Sequence, residues 1–288
     1  MRLIIFLIVI FSNHWCWSQD YSMADSIALS KVSLKFKSVD TLVHSLIAEL
    51  TTEEDKYRVI FTYLSEKMTY DRGAKSTNIL KNKPYGNCAG ISNQFKELCL
   101  LAGLKCEIVH GKFVQPNKSE IENHACNMIY INDKKYFVDV TFSLKKEPKN
   151  KSDLMYPRNE FFFKAEPKLY FITFRPNKRK DRLVKLSFSK FKHLAKTYGS
   201  FFYVADKFVS FPQKFKIKKN KLEFVLNDEI NPDDIKIITK NDQIIQPIKS
   251  ENNKTIIFDL TTVRKGTIVN VSMKFDFGNT YILQYLKD

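Results

Sequence analysis

YGNCAGISNQFKELCLLAGLKC (Tyr85–Cys106) is the stretch whose reading decides the fold. From Cys88 onward Ile91, Phe95, Leu98 and Ala102 fall at three- and four-residue steps, and Gly103 follows as a C-terminal cap should. The spacing therefore predicts a helix that starts at or near Cys88, just after the turn residues of NKPYGN. A thiol in that place has its thiolate stabilised by the unpaired N–H groups of the first turn, so Cys88 is a candidate nucleophile. Cys99, in the helix body, and Cys106, in the strand that follows, read as core thiols.

Upstream, Thr51-x-x-Glu54 spells a capping box, and Tyr57, Ile60, Phe61, Leu64 and Met68 recur at helical spacing, which predicts an amphipathic helix ending near MTYD. Downstream come three strand-like runs, Cys106–Val114, His124–Ile131 and Lys134–Phe142, the last two joined by Asn132–Asp133. A two-residue loop there sets Ile131 opposite Lys134 and Asp139 opposite Cys126, so that His124 shares a face with Cys126 and lies diagonal to Asp139. Diagonal neighbours are roughly 7–8 Å apart at the backbone, within reach of an imidazole and a carboxylate.

After an N-terminal leader only four histidines follow, His44, His110, His124 and His193. His44 and His193 sit in helical segments without a carboxylate partner, which leaves His110 and His124, and the hairpin selects His124. Cys88, His124 and Asp139 can run acyl transfer: the histidine takes the thiol proton, the aspartate orients the imidazole, and the sulfur attacks a carbonyl. The oxyanion would take the Cys88 N–H and one more donor, for which Tyr70 and Tyr85 are the candidates.

The remainder bounds this reading. MRLIIFLIVIFSNHWCWSQD has one early positive charge and an apolar run, Leu3–Phe11, too short to span a membrane, so residues 1–18 read as a cleaved signal and the protein as exported, periplasmic or secreted. Export would remove Cys16 and leave four cysteines, too sparse for a disulfide scaffold. No Cys/His quartet or calcium-loop pattern is present, and neither a metal nor a cofactor is expected. The net charge of +16 is spread along the chain. It suits anionic polymers of the cell envelope, and nucleic acid is not an expected partner of an exported protein. The aromatic run from Asn159 to Pro176 has no clear period. Beyond Pro212, short alternating runs (KLEFVL, TIIFDL, TIVNVSMKF, TYILQYL) predict a small all-β sandwich over 212–288, following a core over 19–211.

The quoted helix, NHACNMIYINDKKYFVDVTF and the preceding helix ending MTYD together resemble the transglutaminase-like superfamily, in its kyphoscoliosis-peptidase-like branch. That resemblance implies a papain-like α+β core in which a Cys-bearing helix packs on an antiparallel sheet. It also implies Cys88 as nucleophile, His124 as base and Asp139 as orienting acid. By the resemblance the activity is hydrolysis of an amide or peptide bond; the expected substrate is a protein or peptide, with cell-wall peptide one candidate. The alternatives are protein cross-linking and a non-catalytic scaffold of the envelope. Two family positions differ: Cys126 stands for a Trp in HACN and Ile91 for an aromatic after Gly90, while Phe142 conserves the character of the final Trp. Cys126 beside the pair would loosen the cleft, form a disulfide or redox couple with Cys88, or mark a decayed site. The oligomeric state is left open.

Overall fold

The computed structural model describes residues 20–117, 120–146, 156–217, 220–252 and 254–288, so the expected leader, with Cys16, lies outside the described residues. Among those described, no helix is long and apolar enough to cross a membrane. Three helices come first: α1 (Ser22–Lys31), α2 (Val39–Ile47) and α3 (Glu53–Lys67). The cap of α3 falls one residue later than its spelling suggests, because Thr52 is the N-cap and its hydroxyl accepts from the Asp55 N–H at 3.0 Å. The predicted apolar stripe is buried, but so is every residue from Tyr57 to Ser65. The extra burial comes from α1, whose Asp25 accepts from Arg58 Nε (2.7 Å), Arg58 Nη2 (2.6 Å) and the Thr62 hydroxyl (2.6 Å). A helix read as half-exposed is thus covered on its polar face by a carboxylate that satisfies it.

A short parallel pairing of β1 (Thr69–Tyr70) with β2 (Tyr85–Gly86) brings the end of α3 beside the start of α4 (Cys88–Leu101). The Asn87 side chain caps α4 by accepting from the Gly90 N–H at 2.9 Å, and Gly103 leaves it at φ +75°, where a side chain would be strained. Helix α4 packs on β3 (Cys106–Phe113) and β4 (Glu122–Ile131), the central strands of a five-stranded antiparallel sheet. Its order is β6 (Phe163–Ala165), β5 (Lys134–Val138), β4, β3, β7 (Phe174–Pro176). Asn132 and Asp133 both have positive φ, as a tight two-residue hairpin requires, and Ile131 pairs with Lys134 as the spacing predicts.

The pairing stops at Asn127 with Val138. Asp139 was expected inside the strand, but it leaves the ladder and caps α5 (Val140–Ser143), its Oδ1 accepting from the Phe142 N–H at 3.1 Å. The physical reason is that an Asp able to cap a helical turn competes with continued pairing.

Two further, mostly antiparallel sheets complete this α+β protein. One has the order 216–217, 278–287, 268–275, 235–239, 244–245, with 196–197 paired to 278–287, and the other the order 248–249, 255–259, 221–226, 208–210. Residues ahead of Pro212 therefore already supply strands to both. Gln284 in the last strand is 1% exposed; its Nε2 donates to Asn117 Oδ1 (2.5 Å) and Tyr198 Oη (3.2 Å), and its Oε1 accepts from the Asn117 N–H (3.0 Å). These bonds tie the segment after β3 to the C-terminal sheet.

Candidate active site

The first residue of α4 is Cys88, half-buried at the edge of a cleft of about 1230 Å³. The glycines on either side of it are required by one neighbour: an added Cβ at Gly86 would lie 2.7 Å, and one at Gly90 2.1 Å, from the Thr77 hydroxyl. Loop 71–84 can therefore seat Thr77 over the helix start only if both positions lack side chains.

Across the cleft floor, β4 delivers His124, which is 5% exposed. Its Nε2 lies 2.7 Å from Asp139 Oδ2, which leaves the other ring nitrogen to the neighbouring Cys88 thiol. The ring is clamped by aromatics: Phe142 stacks on it at 4.4 Å and 7°, Phe113 lies at 5.7 Å, and Phe174 meets it edge-on at 5.6 Å. Asp139 has no exposed surface and spends both oxygens, Oδ1 on the Phe142 N–H and Oδ2 on His124 and on the hydroxyl of Tyr170, 2.5 Å away.

The electrostatics follow from this arrangement. Burial opposes a charged His124, but the Asp139 charge and hydrogen bond, helped by Cys88, outweigh it and push the imidazole up to about 9. Burial likewise opposes a thiolate at Cys88, yet the neighbouring His124 holds the thiol below its usual range. Both shifts lean toward transfer of the thiol proton to the imidazole.

The three candidate residues are thus brought together, His124 bonded to Asp139 and beside the Cys88 thiol. His110 is exposed on β3, opposite Ala125, while His44 and His193 lie exposed elsewhere. Of the two candidate oxyanion donors, Tyr70 lines the cleft, whereas Tyr85 lies under the Lys81 ammonium at 5.4 Å and outside the lining. Cys126 is a free, buried thiol, 1% exposed, near Tyr170 and outside the cleft lining. It neither opens the cleft nor bonds to Cys88. Burial pushes its thiol well above the usual range, so it is inert as a nucleophile. Cys99 and Cys106 are buried thiols as read, and Cys99 is likewise pushed up by burial. Sequence reasoning missed Tyr170: it sits in an aromatic run without period, and its partner Asp139 is 31 residues earlier.

The model of the Transglutaminase-like superfamily matches residues 40–140. Among curated proteins, the kyphoscoliosis peptidase of Homo sapiens is 28% identical over 183 residues, covering 58% of this chain and 27% of that protein. Hillarin of Drosophila melanogaster is 25% identical over 210 residues, covering 64% of this chain and 25% of its own. The chain spans about a quarter of the length of the curated relatives it matches. A solved structure described as a TGase overlays with a TM-score of 0.28 at 16% identity, covering 50% of this chain and 38% of that one. Residues 40–140 are a transglutaminase-like domain, and the branch of the superfamily to which the chain is similar is that of the kyphoscoliosis peptidases.

Proposed function

We propose that the protein is a cysteine-dependent acyl-transfer enzyme that opens an amide or peptide bond through a thioester on Cys88. The observation that carries this reading is the juxtaposition of the Cys88 thiol with His124, itself hydrogen-bonded to a buried Asp139, at the floor of an open cleft. In the proposed cycle the Cys88 thiolate attacks the carbonyl carbon, and the oxyanion is met by the Cys88 N–H at the head of α4 and by Tyr70. His124 then passes its proton to the leaving amine, and the thioester forms as the C–N bond breaks. Water, deprotonated by His124, releases the acid and restores the thiol. Asp139 holds the imidazole in register and stabilises its charged form throughout.

Hydrolysis is ranked above transfer to an amine because the relatives in the matching branch are named peptidases. The hydroxyls of Thr141 and Thr197, buried in the cleft lining and without a protein partner among the described residues, support an extended polypeptide as the occupant, since its amides would pair with them. The apolar leader, Leu3–Phe11, supports export, and the +16 charge supports contact with anionic envelope polymers.

The test is trapping. Incubation with a peptide library at low pH should add an acyl mass to Cys88, absent in Cys88→Ala, and a fluorescent primary amine added in parallel separates free acid from coupled product. Coupled product in place of free acid would replace hydrolysis by cross-linking. No adduct, together with uniformly slow alkylation of all four cysteines, would sink the enzyme and leave a scaffold.

A further inference from the structure

The best-built feature that the proposed cycle does not use is the hydroxyl of Tyr170. This residue ends α6 (Pro167–Tyr170), a four-residue helix capped by Glu166, whose Oε2 accepts from the Leu169 N–H at 2.8 Å. Its ring is fully buried, stacked on Phe174 at 5.2 Å and set against Phe137 (5.4 Å) and Phe162 (6.0 Å). Packing of this kind fixes where the hydroxyl points. It donates at 2.5 Å to Asp139 Oδ2, the same oxygen that His124 Nε2 meets at 2.7 Å. Burial, and then the neighbouring Asp139 charge, push the phenol far above the usual tyrosine range, so its proton stays in place and Tyr170 is the donor.

We infer that Tyr170 is a positioning residue of the proposed site: by sharing Asp139 Oδ2 with His124 it fixes the carboxylate and weakens its pull on the imidazolium. The inference rests on the reading of His124 as the base. A carboxylate free to give Oδ2 wholly to His124 would hold the proton more tightly, and a base must release that proton to the leaving amine. The positive end of the Tyr170 O–H dipole, aimed at the shared oxygen, opposes that retention. The other titratable groups facing this carboxylate are His124 and Cys126 from β4 and Cys88 from α4, with Asp181 acting on Cys126. Cys126, fully buried, is a near neighbour of Tyr170. The small residue in HACN and the buried tyrosine are therefore two halves of one arrangement.

The experiment follows the alkylation rate of Cys88 by iodoacetamide from pH 5 to 11 in the full chain, together with the ¹⁵N titration of the His124 ring. Neither readout needs a substrate. In Tyr170→Phe, which keeps the packing and removes the donor, the alkaline titration of His124 should move up by about 0.5–1 pH unit. A 3,5-difluorotyrosine placed at 170, a stronger donor, should move it down. A purely structural tyrosine would lower thermal stability in Tyr170→Phe and leave the titration where it was. An unmoved titration in both variants, or a downward move in Tyr170→Phe, overturns the inference. Failure of the wild-type protein to label Cys88 ahead of Cys99, Cys106 and Cys126 would overturn the base assignment itself, so the two failures are distinguishable.

Discussion

Replacing Asp139 by Asn should disable Cys88 without unfolding the protein, and the reason lies in how Asp139 spends its two oxygens. Oδ1 holds the Phe142 N–H, and Oδ2 holds both His124 and Tyr170. An amide has one acceptor oxygen. If it stays on Phe142 to cap α5, its NH₂ faces His124 Nε2, which must then become the acceptor and carry its proton on the side of the thiol. That tautomer cannot accept the Cys88 proton. The charge is lost as well: His124 stands at about 9 against an ordinary 6.5, and the largest opposing influence is burial, which stays. The imidazolium thus loses the larger part of what raises it, on the order of 3 kcal/mol. With it goes the thiolate, so alkylation of Cys88 at pH 7 should fall by about 100-fold or more. The assay is iodoacetamide labelling read peptide by peptide, with the buried Cys99, Cys106 and Cys126 as internal controls. A variant that labels Cys88 within about threefold of wild type would refute the charge argument and the orientation argument together.

Three further outcomes are expected. Gly111 pairs with His124 across β3 and β4, and a Cβ there would lie 2.4 Å from the Phe174 ring and 2.6 Å from the Arg175 carbonyl oxygen. Gly111→Ala should therefore cost about 1–3 kcal/mol in urea unfolding, and slow Cys88 labelling by moving the edge-on ring from His124. Cys126→Ala should keep Cys88 labelling near wild type at a cost of roughly 1–2 kcal/mol, whereas Cys126→Trp, with Tyr170 occupying the neighbouring space, should fail to fold stably; chemical denaturation and labelling check both. In Cys88→Ala, where no thiol titrates beside it, His124 still gains its proton partner on folding. Asp139 still raises its folded value, though short of the value of about 9 reached with Cys88 present, so the stability it contributes is full below about 6.5 and is lost as pH rises above that, which melting temperatures measured from about pH 6 to 9 should show.

Much of the candidate site is legible in the chain because its signals are local. A helix start is written in turn residues followed by a three- and four-residue apolar rhythm, and the position of His124 beside Asp139 follows from a two-residue hairpin and the alternation of side chains. What the sequence hides is decided at long range. Whether Asp139 continues a strand or caps a turn depends on the Phe142 N–H that it can capture, and Tyr170 finds Asp139 only once β6, α6 and β7 have folded across the sheet edge. The full burial of α3 is invisible for the same reason, since Arg58 and Thr62 look like a solvent face until Asp25 arrives from α1. Cys126 reads as a threat to the site when only its strand position is known. The structure turns its side chain into the packing around Tyr170, which removes it from the cleft.

The bonds from Gln284 to Asn117 and Tyr198 have a temporal consequence. Tyr198, Thr197 and Phe202 wall the cleft, while Thr197 is held by pairing with Leu283 and the Asn117 segment by Gln284. During synthesis Cys88, His124 and Asp139 emerge long before that final strand does. A nascent chain, or one clipped before residue 278, would thus carry Cys88 in a trough with one side missing, and the cleft is complete only once residues 278–287 take their place in the sheet.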